Sequence, residues 1–269
     1  MEIITSKSNE KVKYIRNLNE KKFRQKYNEY YLEGIKVVSE LLDIYNKKAV
    51  DIVSIAYSNM ILKEANGGIE LLKKIEKFSD IEIINIDSNV FKSIVETVNT
   101  QGILAVIKIN NKTINEIDVS SNVLILDKLQ DSGNVGTIIR TADSFNVKNI
   151  ICISGTADVY SQKVLRSTMA SIFRVNIIYI NEKEIKENIE FLKKNDYHLI
   201  GTSLQSNTFV NDKLFNKKCA IVVGNESNGI SDMMTNLCDM LVKIPISDST
   251  ESLNVACATS ILLYEQYKK

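Results

Sequence analysis

The feature that most constrains the fold is a regular alternation of strand and helix patterns in residues 122–269. Short runs rich in Val and Ile, typical of buried strands, are separated by stretches with helical spacing. The strand candidates are residues 123–126, 149–153, 175–180, 198–202, 220–223 and 240–244. The helix candidates lie near residues 134–145, 161–170, 182–195, 229–237 and 252–267. This pattern predicts a doubly wound α/β sheet of parallel strands, whose ligands usually bind beyond the carboxyl ends of the strands.

The first half of the chain predicts a smaller α/β domain over residues 1–109. Strand-like runs occur at 30–33, 50–57, 81–86 and 102–109, with helical patterns near 35–46, 60–78 and 88–96. Residues 110–121 are polar and turn-prone, so they are predicted to link this domain to a second one over 122–269. A length of 269 residues is enough for two such domains.

The N-terminal segment, residues 5–27, predicts a helix or helical pair with one apolar and one basic side. Val12, Ile15, Leu18 and Phe23 are spaced as on one side of a helix. The candidates for nucleic-acid contact on the other side are Lys7, Lys11, Lys13, Arg16, Lys21, Lys22 and Arg24, followed by Lys26. A basic helix face can bind phosphates without recognising a nucleotide sequence. A helix face that contacts only solvent is an equally good interpretation.

Composition excludes several classes of protein. The 34 basic and 33 acidic residues leave a net charge of +1, so any nucleic-acid surface must be local. The four cysteines form no C-x-x-C pair, and reduced thiols in a cytosolic protein are expected. The only histidine, His198, lies in an apolar stretch, which argues against a histidine-based triad or metal site. No apolar run is long enough to span a bilayer and the first residues are too polar for a signal peptide, so we expect a cytoplasmic protein.

Three segments at predicted strand ends carry candidate chemistry, and the first spans residues 126–142. Gly133 and Gly136 allow close backbone approach where a helix begins. Asn134 and Arg140 lie six positions apart and so do not stack on one helix face. Asn134 can alternatively cap the helix, and Arg140 can alternatively form a salt bridge.

The second segment, residues 220–231, is a glycine-rich turn after a strand. It lacks the spacing of nucleotide phosphate loops, and the carboxylate of Glu226 would repel a pyrophosphate. A cofactor with positive charge, such as a sulfonium, suits this loop better. A turn stabilised by Asn and Ser hydrogen bonds is the alternative interpretation.

The third segment, residues 242–258, contains the only proline of the chain, Pro245, at the end of a strand. A polar loop then leads to a helix opened by Ser252 and Asn254. Capping alone can explain part of this pattern, either through Asp248 and Glu251 or through Ser252 as the N-cap.

Together and in this order, the three segments resemble the SpoU family of RNA 2'-O-ribose methyltransferases, within the SPOUT superfamily. The first family motif is matched by Asn134, Gly136, shifted by one place, and Arg140. The second is matched by Gly224, Asn225, Glu226 and Gly229, and the third by Pro245 and the run from Glu251 to Val255. The match covers roughly residues 123–267, and residues 1–109 resemble the family's substrate-binding domain. Two departures are Ser132, where a proline is usual, and Asp248, where glycine is usual.

The resemblance implies an α/β fold in which a SPOUT-type catalytic domain with a trefoil knot follows a substrate-binding domain. It also implies S-adenosylmethionine as co-substrate, no metal, a homodimer formed through the C-terminal domain, and structured RNA as partner, ribosomal RNA more than transfer RNA. The implied catalytic residues are Asn134, Arg140, Glu226, Ser252 and Asn254. The implied cofactor-binding residues are Gly224, Asn225, Glu226, Ile244, Ile246 and Leu253.

The resemblance implies that Arg140 activates the ribose hydroxyl, as a base or as an electrostatic stabiliser. Because a guanidinium normally stays protonated, we favour the second role, in which Arg140 holds the RNA phosphate beside the reacting ribose and stabilises the developing alkoxide. The other four catalytic candidates would then orient Arg140 and the ribose. Three alternatives remain: methylation of transfer RNA, a non-catalytic RNA-binding assembly factor on the same fold, and a nicotinamide-dependent dehydrogenase. The last lacks the dinucleotide fingerprint.

Overall fold

The protein divides into two compact units in a computed structural model that describes residues 2–45, 50–215 and 217–268. Unit 1 comprises Met1–Asn110 and Tyr160–Arg166, and unit 2 comprises Asn111–Val159 and Ser167–Lys269. None of the helices in the described ranges combines the length and the apolar composition that a membrane-spanning helix needs.

Unit 1 is built on a mixed five-stranded sheet in the order β1-β4-β3-β5-β2. Its strands are β1 (Ile3–Ile4), β2 (Glu29–Glu33), β3 (Ile52–Tyr57), β4 (Glu82–Ile86) and β5 (Ile103–Lys108). β1, β4 and β3 run parallel, whereas β5 runs antiparallel to both β3 and β2. The predicted smaller α/β domain is confirmed, and β1 is the one strand of this sheet that the sequence pattern missed, because two residues are too few to show a period.

The helices of unit 1 cover the sheet. They are α1 (Glu10–Asn17), α2 (Lys21–Tyr27), α3 (Ile35–Tyr45), α4 (Asn59–Glu64), α5 (Gly68–Ile75), α6 (Ser88–Lys92) and the first part of α8 (Gln162–Thr168). The helix predicted near residues 60–78 is in fact two helices. Gly67, at φ 82°, turns the chain between α4 and α5, and a Cβ on Gly68 would overlap the carbonyl of Leu62, so the chain cannot continue as one helix here.

Unit 2 is built on a parallel six-stranded sheet in the order β11-β9-β10-β6-β7-β8. Its strands are β6 (Val123–Asp127), β7 (Asn149–Ile153), β8 (Asn176–Ile180), β9 (His198–Thr202), β10 (Cys219–Gly224) and β11 (Met240–Val242). All five pairings are parallel, which confirms the predicted architecture. The order of the strands reverses between β6 and β10, the position where ligands usually bind in open α/β sheets.

The remaining helices are α7 (Ser132–Ser144), α9 (Ile185–Lys194), α10 (Asp232–Leu237) and α11 (Val255–Tyr267), together with the end of α8. Both faces of the central strands are buried, since every residue of β6, β7 and β10 is buried. This explains why these strands read as continuous apolar runs in the sequence.

Two segments differ from the predicted domain boundaries. Within residues 110–121, Ile117 is buried in the core of unit 2 and Lys112 bridges to Ile178 of β8, so the polar stretch packs as part of that unit. Residues 160–166 belong to unit 1, where the Gln162 side chain donates to the carbonyl of Tyr31 at 2.9 Å. Local polarity could not reveal either packing, because both depend on apolar contacts and hydrogen bonds distant in sequence.

Candidate active site

The first candidate segment forms the start of α7. Asp131 is the N-cap, and its carboxylate accepts a hydrogen bond of 2.8 Å from the backbone N–H of Asn134. The alternative in which Asn134 caps the helix is therefore wrong. Ser132 is the first helical residue, a position that favours proline but tolerates most residues, so the departure from the family pattern leaves the helix start intact.

The loop after β10 is closed by its own backbone. Asn225 and Gly229 exchange two backbone hydrogen bonds, of 2.8 and 2.9 Å. A Cβ on Gly224 would overlap the backbone of Gly229 and Ile230, so glycine is required there. Side-chain Nδ2 of Asn225 donates to the carbonyl of Lys128 at 3.0 Å and ties the loop to the end of β6.

The carboxylate of Glu226 accepts hydrogen bonds from the start of α7. Its partners are Nδ2 of Asn134 at 3.1 Å and the backbone N–H groups of Asp131 at 3.3 Å and Gln130 at 3.4 Å. Burial raises the pKa of Glu226, but these hydrogen bonds outweigh it and hold the pKa below its ordinary value. The carboxylate is thus ionised at neutral pH and directed at a helix N-terminus, where negative charge is favoured.

Asn254 joins the third segment to the other two. It is the N-cap of α11, because its Oδ1 accepts from the backbone N–H of Ala256 at 2.9 Å and of Cys257 at 3.3 Å. Its Nδ2 donates to Oδ1 of Asn134 at 3.0 Å. Capping by Ser252 is therefore wrong. Asn254, Asn134 and Glu226 form a continuous hydrogen-bonded chain, here called the amide relay.

Two of the five catalytic candidates lie outside the amide relay. Arg140 is exposed on α7, about 9 Å along the helix axis from Asn134. Ser252 is exposed in the loop before α11. Within the described ranges, neither side chain has a hydrogen bond or ion pair with protein. That the other four candidates orient Arg140 and the ribose stays a prediction.

The apolar cofactor candidates lie after β11. Ile244, Ile246 and Leu253 are each partly exposed, although isoleucine and leucine are usually buried. Asp248 is exposed in a turn of the same loop. The side chains of Ile244, Ile246 and Leu253 therefore present apolar surface that the protein only partly covers.

The basic N-terminal candidates separate into two groups. Lys7, Lys13 and Lys21 are exposed. The others have protein partners. Lys11 and Lys22 are also exposed, but Lys11 pairs with Glu82 at 2.5 Å and Lys22 with Glu20 at 2.8 Å, while Arg16 donates to Ser93 at 3.1 Å. Arg24 is 4% exposed and donates to the carbonyls of Leu18 and Asn19. RNA contact by Arg24 is thus a wrong prediction, because its guanidinium caps the chain after α1.

Asp127, the last residue of β6, is a site residue that sequence reasoning missed. It is buried, pairs in register with Gly224, and its Oδ2 accepts from the backbone N–H of Ser231 at 2.6 Å. It therefore holds the far end of the loop that carries Glu226. The available signal was an acidic residue ending an otherwise apolar strand. Among the described residues no cluster of histidine, cysteine, aspartate or glutamate is suited to a metal ion.

Known proteins resemble this chain over its full length. The 23S rRNA (guanosine(2553)-2'-O)-methyltransferase RlmP of Bacillus subtilis is 30% identical over 264 residues, 98% of each chain. The AdoMet-bound rRNA methyltransferase of Sinorhizobium meliloti is 26% identical with a TM-score of 0.82, covering 99% of this chain and 97% of that one. A putative RNA methyltransferase of the TrmH family from Porphyromonas gingivalis is 28% identical with a TM-score of 0.80, covering 96% and 97%.

Two family models match successive parts of the sequence. The MRM3-like substrate binding domain matches residues 9–105, and the SpoU rRNA Methylase family matches residues 121–264. The second match includes Asn134, Glu226 and Asn254. The chain belongs to the SpoU rRNA methylase family.

Proposed function

We propose that this protein transfers a methyl group from S-adenosylmethionine to a ribose 2'-hydroxyl of ribosomal RNA. The observation that carries the proposal is the amide relay, which brings residues from three distant motifs of a SpoU methylase to one edge of the parallel sheet. The relatives support the cofactor and the RNA, since one is an AdoMet-bound rRNA methyltransferase and another acts on 23S rRNA.

The residues of the loops after β10 and β11 suit this cofactor. Ile244, Ile246 and Leu253 offer partly exposed apolar surface for an adenine ring, and a Cβ on Gly229 would meet open space. The ionised carboxylate of Glu226 is compatible with a sulfonium and unfavourable for a pyrophosphate. When bound, S-adenosylmethionine supplies an electrophilic methyl group. Gly224, Asn225 and Glu226 would shape its loop mainly through the backbone.

In this proposal the amide relay positions the two loops and does not carry a proton. Glu226 already accepts three hydrogen bonds, and both polar atoms of the Asn134 side chain are used. Fixing the loops in advance favours in-line transfer, which depends on orientation more than on acid–base chemistry. Ser252, exposed beside the relay, would contact the ribose.

Arg140 would bind the RNA phosphate next to the target ribose and stabilise negative charge on the attacking oxygen. Its exposure and the lack of an ion pair with any described residue leave its guanidinium available for RNA. An arginine that already held a protein carboxylate would have to break that pair first.

We also propose a homodimer formed through α11 and the end of α7, a trefoil knot in unit 2, and location in the cytoplasm with the ribosomal RNA. The dimer is supported by exposed side chains on α11, with Tyr264 51% and Tyr267 58% exposed beside Phe145. Rings of this size on one helix face are typical of protein interfaces.

The test is transfer of a tritiated methyl group from S-adenosylmethionine to 23S rRNA, followed by mapping of the 2'-O-methylated nucleotide. Because the Bacillus subtilis relative modifies guanosine 2553, the equivalent guanosine is the first position to examine. Methyl transfer to transfer RNA alone would show that the substrate is transfer RNA and not ribosomal RNA. RNA binding without any transfer would favour an assembly factor, and binding of NAD in place of S-adenosylmethionine would favour a dehydrogenase.

A further inference from the structure

One side of α2 combines partly exposed aromatic rings with exposed lysines. This side, here called the α2 surface, consists of Lys22, Phe23, Lys26 and Tyr27. Successive residues of an α-helix are about 100° apart, so these four occupy one continuous face, while Arg24 is directed into unit 1 and is buried.

The two rings of the α2 surface lie parallel to each other, and one of them packs against the core of unit 1. Tyr27 packs against the core of unit 1 and meets the ring of Tyr14 edge-on at 5.2 Å. Phe23 lies over Tyr27 with the ring planes 11° apart and the centroids 6.2 Å apart. Among the described residues, Phe23 is not one of those that pack against this core. Its ring is therefore a partly exposed apolar surface that lies parallel to the ring of Tyr27.

The charge of the α2 surface is complementary to nucleic acid. Nζ of Lys22 lies 4.9 Å from the ring centroid of Phe23, and Nζ of Lys26 lies 5.2 Å from that of Tyr27. α2 contains no acidic residue. The ion pair between Lys22 and Glu20 is more than half exposed on both sides, and pairs of this kind contribute little, so a phosphate can replace Glu20.

We propose that the α2 surface binds unpaired bases of the RNA substrate, with Phe23 as the stacking platform and Lys22 and Lys26 on the adjacent phosphates. Rings alternating with cations are the combination by which proteins bind single-stranded nucleic acid. A base in a duplex is stacked on both sides and has no free face for Phe23, so the surface selects a loop, bulge or single strand. The inference rests on the proposed function only in taking RNA as the substrate.

The experiment measures binding, without methyl donor, of a single-stranded RNA oligonucleotide and of the same sequence as a duplex, over a range of salt concentrations. Phe23→Ala is expected to weaken binding of the single strand about tenfold and to leave the duplex unchanged. Phe23→Trp is expected to restore it. Lys22→Gln with Lys26→Gln is expected to reduce the slope of log affinity against log salt by about 1.4.

The control is Lys73→Gln with Lys77→Gln, which removes the same charge from exposed positions elsewhere in unit 1. This control is expected to change the RNA affinity and the salt slope less than Lys22→Gln with Lys26→Gln does. Phe23→Leu keeps an apolar side chain without a ring, and it is expected to fold normally and to show the same loss as Phe23→Ala. Unchanged binding by Phe23→Ala and Phe23→Leu, or equal losses for single strand and duplex, would overturn the proposal.

Methyl transfer by the wild-type protein to 23S rRNA is measured separately. A wild-type protein that binds single strands through Phe23 but transfers no methyl group contradicts the proposed function alone. Normal methyl transfer combined with Phe23 variants that bind single strands normally contradicts the α2 surface alone. Binding of phosphatidylglycerol vesicles that depends on Lys22 and Lys26, with RNA binding unaffected by them, would assign the surface to membranes and also overturn the inference.

Discussion

The side-chain amide of Asn254 donates a hydrogen bond of 3.0 Å to the amide oxygen of Asn134, a residue 120 positions earlier in the chain. The same Asn254 caps α11, and the same Asn134 donates to Glu226. The N-terminal ends of two helices and the loop after β10 are thereby held in one arrangement. A substitution of Asn134, Glu226 or Asn254 should therefore alter the positions of the other two side chains.

Removing the relay should reduce methyl transfer without unfolding the protein. Asn134→Ala and Asn254→Ala are each expected to lower kcat at least about tenfold. Because both changes break the same hydrogen bond, their effects on the activation free energy should be coupled by about 1 kcal/mol in the double variant. Asn254→Asp keeps the N-cap acceptor of α11 and loses the donor to Asn134, so it should lose less stability than Asn254→Ala but show the same loss of kcat. Strictly additive losses in the double variant would contradict the relay.

Arg140→Ala should abolish methyl transfer and leave the affinity for S-adenosylmethionine unchanged, because the guanidinium is assigned to the RNA and not to the cofactor. Arg140→Lys should restore only a small part of the activity, since a single ammonium lacks the fork of donors that fits a phosphate. Single-turnover methylation and calorimetric titration of the cofactor measure the two effects. Near-normal turnover by Arg140→Ala would rule out this role.

Glu226→Gln should destabilise the protein at neutral pH and much less in acid. The folded-state pKa of Glu226 lies below its ordinary value of 4.5, so the stabilisation is fully present above that value and is lost as the pH falls through the folded pKa. Urea unfolding of wild type and variant between about pH 3 and pH 7 measures the difference in free energy. A difference that stays constant over this range would show that ionisation of Glu226 does not matter.

Two glycines of the same loop should respond differently to alanine. Gly224→Ala should cost several kcal/mol, because its Cβ would overlap the backbone of Gly229 within a buried strand end. Gly229→Ala meets no atom and should cost only about 1 kcal/mol for the left-handed conformation at φ +69°. Thermal unfolding of both variants is the measurement. Equal losses of stability in the two variants would contradict the conclusion that the close backbone approach at Gly224 requires glycine.

Charge on the exposed end of α11 should dissociate the proposed dimer. Tyr264→Lys with Tyr267→Lys would place two like charges on each copy at the centre of the interface, and the dissociation constant should rise at least about tenfold. Sedimentation equilibrium measures the change. Leu204→Lys, at another exposed apolar position of unit 2, is the control and should leave the dimer unchanged. A wild-type protein that is monomeric at every concentration would contradict the proposal.

Much of the fold could be predicted from the sequence because its elements are stabilised by regular local patterns. The strands predicted at residues 149–153 and 198–202 coincide with β7 and β9, since a buried parallel strand is a continuous apolar run. The break between α4 and α5 was missed, because the collision that a side chain at Gly68 would make involves the backbone of Leu62 and has no local signature. Candidate residues of the site were identified by motif, not by geometry.

The sequence by itself determined the alternation of strands and helices, the two-part organisation and the residue types at the ends of three strands. Only the tertiary structure decided which of these side chains meet. It joined Asn134 to Glu226 and Asn254, left Arg140 exposed, and buried Arg24 among the residues predicted to bind RNA. The physical reason is that periodicity encodes burial along one element, whereas a hydrogen bond between side chains far apart in sequence depends on how several elements pack.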